Sequence, residues 1–143
     1  MKLFTIGYEN ATVGELIDAL ERAGVAQLID VRALPLSRRP GFSKRGLAAA
    51  LAERGIAYRH LRALGTPPEG RHAARKGDHA TLERVYAAQL ETPPAIAEAQ
   101  IMLAEAAETP SALLCYERDP DGCHRSLLIA ATAPDAEVVH LFP

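Results

Sequence analysis

Apolar residues along this chain fall into two patterns: short continuous runs, and stretches spaced three and four apart. The run KLFTIG (2–7) reads as a strand closed by Gly7. Thr12-x-x-Glu15 then forms a capping-box pattern, Leu16, Ile17, Leu20 and Ala23 follow at helical spacing, and Gly24 stops the helix. VAQLIDVR (25–32) is apolar almost throughout until Asp30, which predicts a strand covered on both faces. ALPLSRRPGFS reads as loop. Ser43 opens a helix running to Arg54, with Leu47 and Leu51 one turn apart, and Gly55 ends it. IAYRHL (56–61) is a third strand.

Residues 64–80, LGTPPEGRHAARKGDHA, are polar and rich in helix breakers, which predicts a long mobile loop. TLERVYAAQL is a helix, ETPP breaks it, and AIAEAQIMLAEAAE is another helix. SALLCYE (111–117) predicts a fourth strand, CHRSLLIAAT a short helix and AEVVHLF a last strand. Strands alternating with helices imply right-handed crossovers and parallel pairing. The expected fold is therefore α/β: a three-layer α/β/α sandwich on a mostly parallel sheet of roughly five strands, loosely Rossmann-like. The length of 143 residues fits one domain spanning 1–143.

Composition narrows the class. Hydrophobic residues make up 48%, which suits a packed core. No apolar run approaches the roughly 20 residues that span a bilayer, so no membrane partner is expected. The start, MKLFTIGYEN, lacks the form of a signal peptide, which predicts a cytoplasmic protein whose two cysteines are thiols, a bridge between Cys115 and Cys123 across their turn being the lesser alternative. The net charge of −2 conceals a strong asymmetry. From Arg32 to Lys76 there are eleven Lys/Arg against two acids, Glu53 and Glu69, a local balance of +9. Such a basic third points to an anionic partner, or equally to a solvated basic face set against acidic helices.

A parallel sheet ends all its strands on one edge, and ligands bind beyond that edge. The first strand ends at Tyr8, the second at Asp30 and Arg32, the third near Tyr58 and His60, and the fourth at Cys115 and Glu117. Cys123, His124 and Arg125 open the next helix, where free N–H groups and the helix dipole favour an anion and a thiolate. Asp30 and Arg32 share a strand face and could pair as a scaffold. His60 suits a structural role as well as a functional one, Cys115 suits the core, and Glu117 suits either proton transfer or pairing with an arginine. Arg38, Arg39, Lys44 and Arg45 surround Phe42, which either stacks a nucleic-acid base or staples its loop to the core.

Several chemistries fail on spacing. GYENATVG lacks the glycines of a dinucleotide fingerprint, so neither NAD nor FAD is expected, and there is no Walker motif. Nine residues separate Cys115 from Arg125 and one separates Cys123 from it, which fits no cysteine-phosphatase loop. A zinc site would need a ligand beyond Cys115, Cys123 and His124, and no G-x-S-x-G elbow is present. No cofactor and no metal are expected on these grounds.

TIGYEN (5–10), LIDVRALPLSRRPGFS (28–43), YRHLRALG (58–65) and LLCYERDPDGCHR (113–125) together resemble the domain of unknown function 488 family. The resemblance implies a compact α/β domain with a site built from the matching polar positions. Those positions are Asp30, Arg32, Ser37, Arg38, Phe42, Tyr58, His60, Cys115, Glu117, Cys123, His124 and Arg125. It assigns no reaction.

Three functions remain open. In the first, an enzyme acts on a phosphorylated, nucleotide or nucleic-acid substrate: Arg32, Arg38 and Arg125 hold the anion, Glu117 or His124 moves protons, and Cys123 is the nucleophile. Asp30, Tyr58, His60 and Cys115 support that site. The second is a non-catalytic nucleic-acid or polyanion module. The third is a metal or thiol-redox protein using Cys115 and Cys123.

Overall fold

Two apolar faces on one sheet explain the architecture. In the computed structural model, which describes residues 1–143, five strands pair in the order β3-β2-β4-β1-β5, all parallel. They are β1 (Lys2–Gly7), β2 (Gln27–Asp30), β3 (Ala57–His60), β4 (Ser111–Cys115) and β5 (Glu137–Leu141). Side chains alternate along each strand. Phe4, Ile6, Leu28, Ala112 and Leu114 therefore face α1 (Val13–Arg22) and α2 (Lys44–Glu53). Leu3, Ile29 and Leu113 face α4 (His79–Leu90), α5 (Pro93–Glu108) and α6 (His124–Thr132). The three-layer α/β/α reading is thus the observed fold, with six α-helices.

Local signals place the ends of these elements. Thr12 and Glu15 close their capping box reciprocally, Glu15 N–H donating to Thr12 Oγ1 (3.1 Å) and Thr12 N–H to Glu15 Oε1 (2.8 Å). Pro93 and Pro94 break α4 from α5 by starting the latter, where a missing N–H costs nothing. No helix is long and apolar enough to cross a membrane.

Residues 64–80 do not form the expected loop. A 3₁₀ turn at Arg62–Leu64 leads into α3 (Pro68–Lys76), and α4 begins at His79. The proline and glycine residues that read as loop punctuate the helix: Pro68 occupies its first turn, and Gly77 caps its end at φ 75°. Gly70, inside α3, lies where a Cβ would collide with Thr66 Cγ2. The helix is anchored through its neighbour, since Tyr86 on α4 donates to Leu64 O (2.6 Å).

Strand order fixes where a site can form. The connections after β1 and β2 cover one face, and those after β3 and β4 cover the other. β4 lies between β2 and β1, so the chain leaves it toward the face opposite to both neighbours. Crevices open at such reversals, beyond the strands' carboxyl ends. The register puts Gly7 opposite Cys115, and Asp30 opposite His60 and Leu114, on that rim.

Candidate functional site

After Cys115 the chain leaves the sheet and turns through a 3₁₀ segment, Pro120–Gly122, nucleated by Asp119, whose carboxylate accepts from Asp121 N–H (2.9 Å). Cys123 is the extended N-cap of α6 (φ −139°, ψ 170°), and its sulfur accepts from Arg125 N–H at 3.3 Å. This return brings the two cysteines together, and they are joined as a disulfide with Cα atoms 7.4 Å apart. Free thiols were the expectation. The seven residues between them, 116–122, are enough to close the ring once β4 and α6 are packed.

His124, the first residue of α6, is buried, and its Nε2–H donates to Val31 O at 2.7 Å. A carbonyl only accepts, so the lone pair lies on Nδ1. Burial lowers the His124 pKa to about 4, with the neighbouring Arg125 charge pushing the same way, so the ring is neutral at physiological pH. The Tyr86 ring meets it edge-on with centroids 5.1 Å apart.

Arg125 points inward. It is wholly buried, with Nη1 3.4 Å from Cys115 Sγ and Nη2 donating to Arg118 O (3.1 Å), while Nε has no partner. Burial lowers its pKa to about 10, partly offset by the charges of Glu117 and Asp119. Gly7 makes room for this guanidinium: a Cβ there would overlap the Glu117 carbonyl and stand 2.7 Å from Arg125 Nη1. Glu117 Oε2 lies 3.6 Å from Cys115 Sγ, and burial raises its pKa against the pull of Arg125.

Tyr8, Arg32, Cys115, Glu117, Cys123 and His124 line one cavity of about 280 Å³, together with Arg71 and Arg75 of α3. A larger cleft of about 590 Å³ shares Ala33, Leu34, Thr66 and Arg71 with it, but holds neither cysteine nor His124. The cavity with the sulfurs is therefore the candidate site, and the cleft adjoins it.

A buried polar scaffold braces its wall. Arg32 donates through Nε and Nη2 to the two oxygens of Asp30 (2.9 and 2.7 Å), and through Nη1 to Phe42 O (2.8 Å) and Tyr8 OH (3.3 Å). The Tyr58 hydroxyl donates to the same Asp30 carboxylate, and His60 Nε2–H donates to Arg32 O (2.7 Å). Asp30, Tyr58 and His60 thus orient Arg32 and the rim, without lining the cavity themselves.

Three sequence candidates lie elsewhere than expected. Phe42 is 1% exposed and stacks on Tyr8 with centroids 4.5 Å apart, so it staples the loop and offers no face to a base. Arg125 is beneath the bridge and does not border the cavity. Arg38 is exposed and contributes no hydrogen bond, whereas Arg39 folds back over the Phe42 ring, 5.0 Å from its centroid, and donates to Tyr8 O. Tyr8, Arg71 and Arg75 were missed. Tyr8 was signalled by its place at the end of β1; the two arginines were hidden in the segment read as loop.

No curated protein and no solved structure matches the chain. The family model described as "Domain of unknown function DUF488" matches residues 12–132, which takes in both cysteines, the Asp30–Arg32 scaffold and all six helices. With that span covered, the chain belongs to the DUF488 family.

Proposed function

We propose that Cys115 and Cys123 form a thiol–disulfide redox centre that exchanges electrons with a small thiol or disulfide substrate held in the cavity. The observation that carries this reading is the bridge itself: it forms part of a cavity wall, and each sulfur has an N–H donor beside it. Hydrogen bonds to sulfur stabilise the thiolate that each bond cleavage must release.

Cys123 is the sulfur attacked, since it borders a second surface pocket against His79 and Leu82 as well as the cavity, while Cys115 borders the cavity alone. A substrate thiolate attacks Cys123 Sγ, the S–S bond breaks, and its electron pair leaves on Cys115, facing Arg125 Nη1. A second substrate thiolate then attacks the mixed disulfide, releasing the substrate disulfide and the Cys123 thiolate. Two electrons and two protons pass from two substrate thiols to the protein; the reverse sequence oxidises the protein.

The test is equilibration of the folded chain against graded ratios of reduced and oxidised dithiothreitol, followed by alkylation and mass measurement. Two alkyl groups should appear together and reversibly, with the circular dichroism of the fold retained. Reduction that unfolds the chain would make the bridge structural and defeat the reading.

The charge of the cavity favours a second statement about its occupant. Arg71 and Arg75, neither in an ion pair, line it beside one carboxyl, Glu117, while the Arg32 charge is already matched by Asp30. A phosphorylated or other anionic ligand suits that balance. Phosphate slowing the alkylation of reduced Cys123, with the effect lost in Arg71→Gln, is the expected outcome; equal alkylation rates with and without phosphate would count against an anion site.

A further inference from the structure

Reduction of the bridge leaves two thiols and an imidazole on one cavity wall, with both sulfurs and a ring nitrogen of His124 within 4.8 Å of one another. The imidazole is already oriented. Val31 O holds the Nε2 proton and leaves the Nδ1 lone pair as the available donor, the arrangement found for metal-binding histidines, whose other N–H is fixed by a carbonyl or carboxylate. Each sulfur also has an N–H donor, from the Arg125 backbone for Cys123 and from Arg125 Nη1 for Cys115. The Cα atoms stand 7.4 Å apart, wider than the roughly 4.4–6.8 Å that disulfides usually span. This spacing leaves the sulfurs room to part around an ion.

We propose that the reduced Cys115–Cys123 pair and His124 bind one thiophilic divalent cation of the zinc class, with its fourth coordination position open to the cavity. Two thiolates and one imidazole are a soft donor set, which selects zinc-like ions over magnesium or calcium. Three protein ligands with one open position are the arrangement of catalytic zinc sites, whereas structural sites are closed by a fourth side chain. Charge also balances: a divalent ion and Arg125 together offset two thiolates and Glu117. The disulfide and the metal use the same sulfurs, so oxidation expels the ion and ion binding protects the thiols from oxidation. The lack of a fourth protein ligand excludes a structural zinc site only.

The experiment uses the full chain, reduced with a phosphine in the absence of oxygen, freed of metal by a chelator, and titrated with cobalt(II). A sulfur-to-cobalt charge-transfer band and the visible bands of tetrahedral cobalt should rise together and level off at one cobalt per chain. One equivalent of zinc should abolish both. The oxidised chain, identical in sequence and fold, should give neither band. His124→Ala should lose the tetrahedral bands while keeping some charge transfer. Octahedral cobalt only, a plateau at one cobalt per two chains, or equal uptake by the oxidised chain would overturn the site. The two proposals fail separately. A chain that cycles between dithiol and bridge without a cobalt–sulfur band has redox chemistry and no metal site. One that gives the band but never re-forms the bridge has the metal site and no redox cycle.

Discussion

Replacing Asp30 by Asn perturbs one charge at the centre of the scaffold while keeping its shape. Asp30 is wholly buried and accepts four hydrogen bonds: from Arg32 N–H (3.1 Å), Nε (2.9 Å) and Nη2 (2.7 Å), and from the Tyr58 hydroxyl. Asn keeps one acceptor oxygen and turns an NH₂ toward donors that need an acceptor. It also leaves the Arg32 guanidinium, 6% exposed, with no counter-charge. Breaking a buried ion pair from one side costs about 3–5 kcal/mol. A domain of this size is held by about 5–15 kcal/mol in all.

Urea unfolding followed by circular dichroism, extrapolated to water, measures this directly. Asp30→Asn should lose about 3 kcal/mol or more with an unchanged slope against urea. Arg32→Met should also be destabilised. The double variant Asp30→Asn/Arg32→Met should be less so than the sum, by about 1–3 kcal/mol, because the two residues share their hydrogen bonds. A loss below about 1 kcal/mol for Asp30→Asn is what a solvent-screened pair would give, and would refute the scaffold argument.

Other consequences are as direct. In the oxidised chain, His124 has a folded pKa of about 4 against 6.5 for the free side chain, so the unfolded state takes up the proton first as pH falls. Stability from this group is complete above 6.5 and falls as pH drops toward 4, by up to about 3 kcal/mol, and the decline should be shallower in His124→Gln; equal profiles would show that another group is responsible. Gly7→Ala should lose about 2 kcal/mol or more in urea unfolding and change the alkylation rate of reduced Cys115, because the added methyl meets the Glu117 carbonyl and Arg125; a neutral variant would mean that the rim is soft. Arg125→Met should unfold at the same urea concentration or higher, since it removes a buried charge with an unpartnered Nε, yet slow reduction of the bridge about tenfold or more by withdrawing a charge-assisted donor from Cys115; unchanged exchange kinetics would remove Arg125 from the sulfur chemistry.

Periodicity carried the elements because the sheet is covered on both faces: Leu28–Ile29 and Leu113–Leu114 are apolar toward both layers, so their strands read as continuous runs. It failed at Pro68–Lys76, where the helix is short, polar and bounded by proline and glycine, and where only Gly70 and Ala73 are buried. The rim could be read because parallel strands end together, and Cys115, Cys123, His124, Glu117 and Arg32 do share a cavity. Direction could not be read. Arg125 and Phe42 sit at the expected places on the chain but turn inward, and that choice depends on space left by Gly7 and on the Tyr8 ring, both far away in sequence. Arg38 and Arg39 are equivalent as letters, and only the packing of Arg39 over Phe42 and Tyr8 separates them.

Two buried arginines on this rim show how the molecule divides scaffold from chemistry. For Arg32, burial opposes the charge, but hydrogen bonds and attraction from Asp30 outweigh it, and the pKa rises. For Arg125, burial prevails over the more distant Glu117 and Asp119, and the pKa falls to about 10. The first charge is matched by a carboxylate and has few donors left to offer. The second lacks a carboxylate within ion-pair distance and points Nη1 at a sulfur. A guanidinium held in that state lowers the stability of the folded chain unless something negative forms beside it. The oxidised bridge carries no charge, whereas its reduction creates a thiolate at Cys115. The unmatched arginine therefore favours the reduced state of the pair, and the fold bears that strain at the one position where electrons or a cation are proposed to arrive.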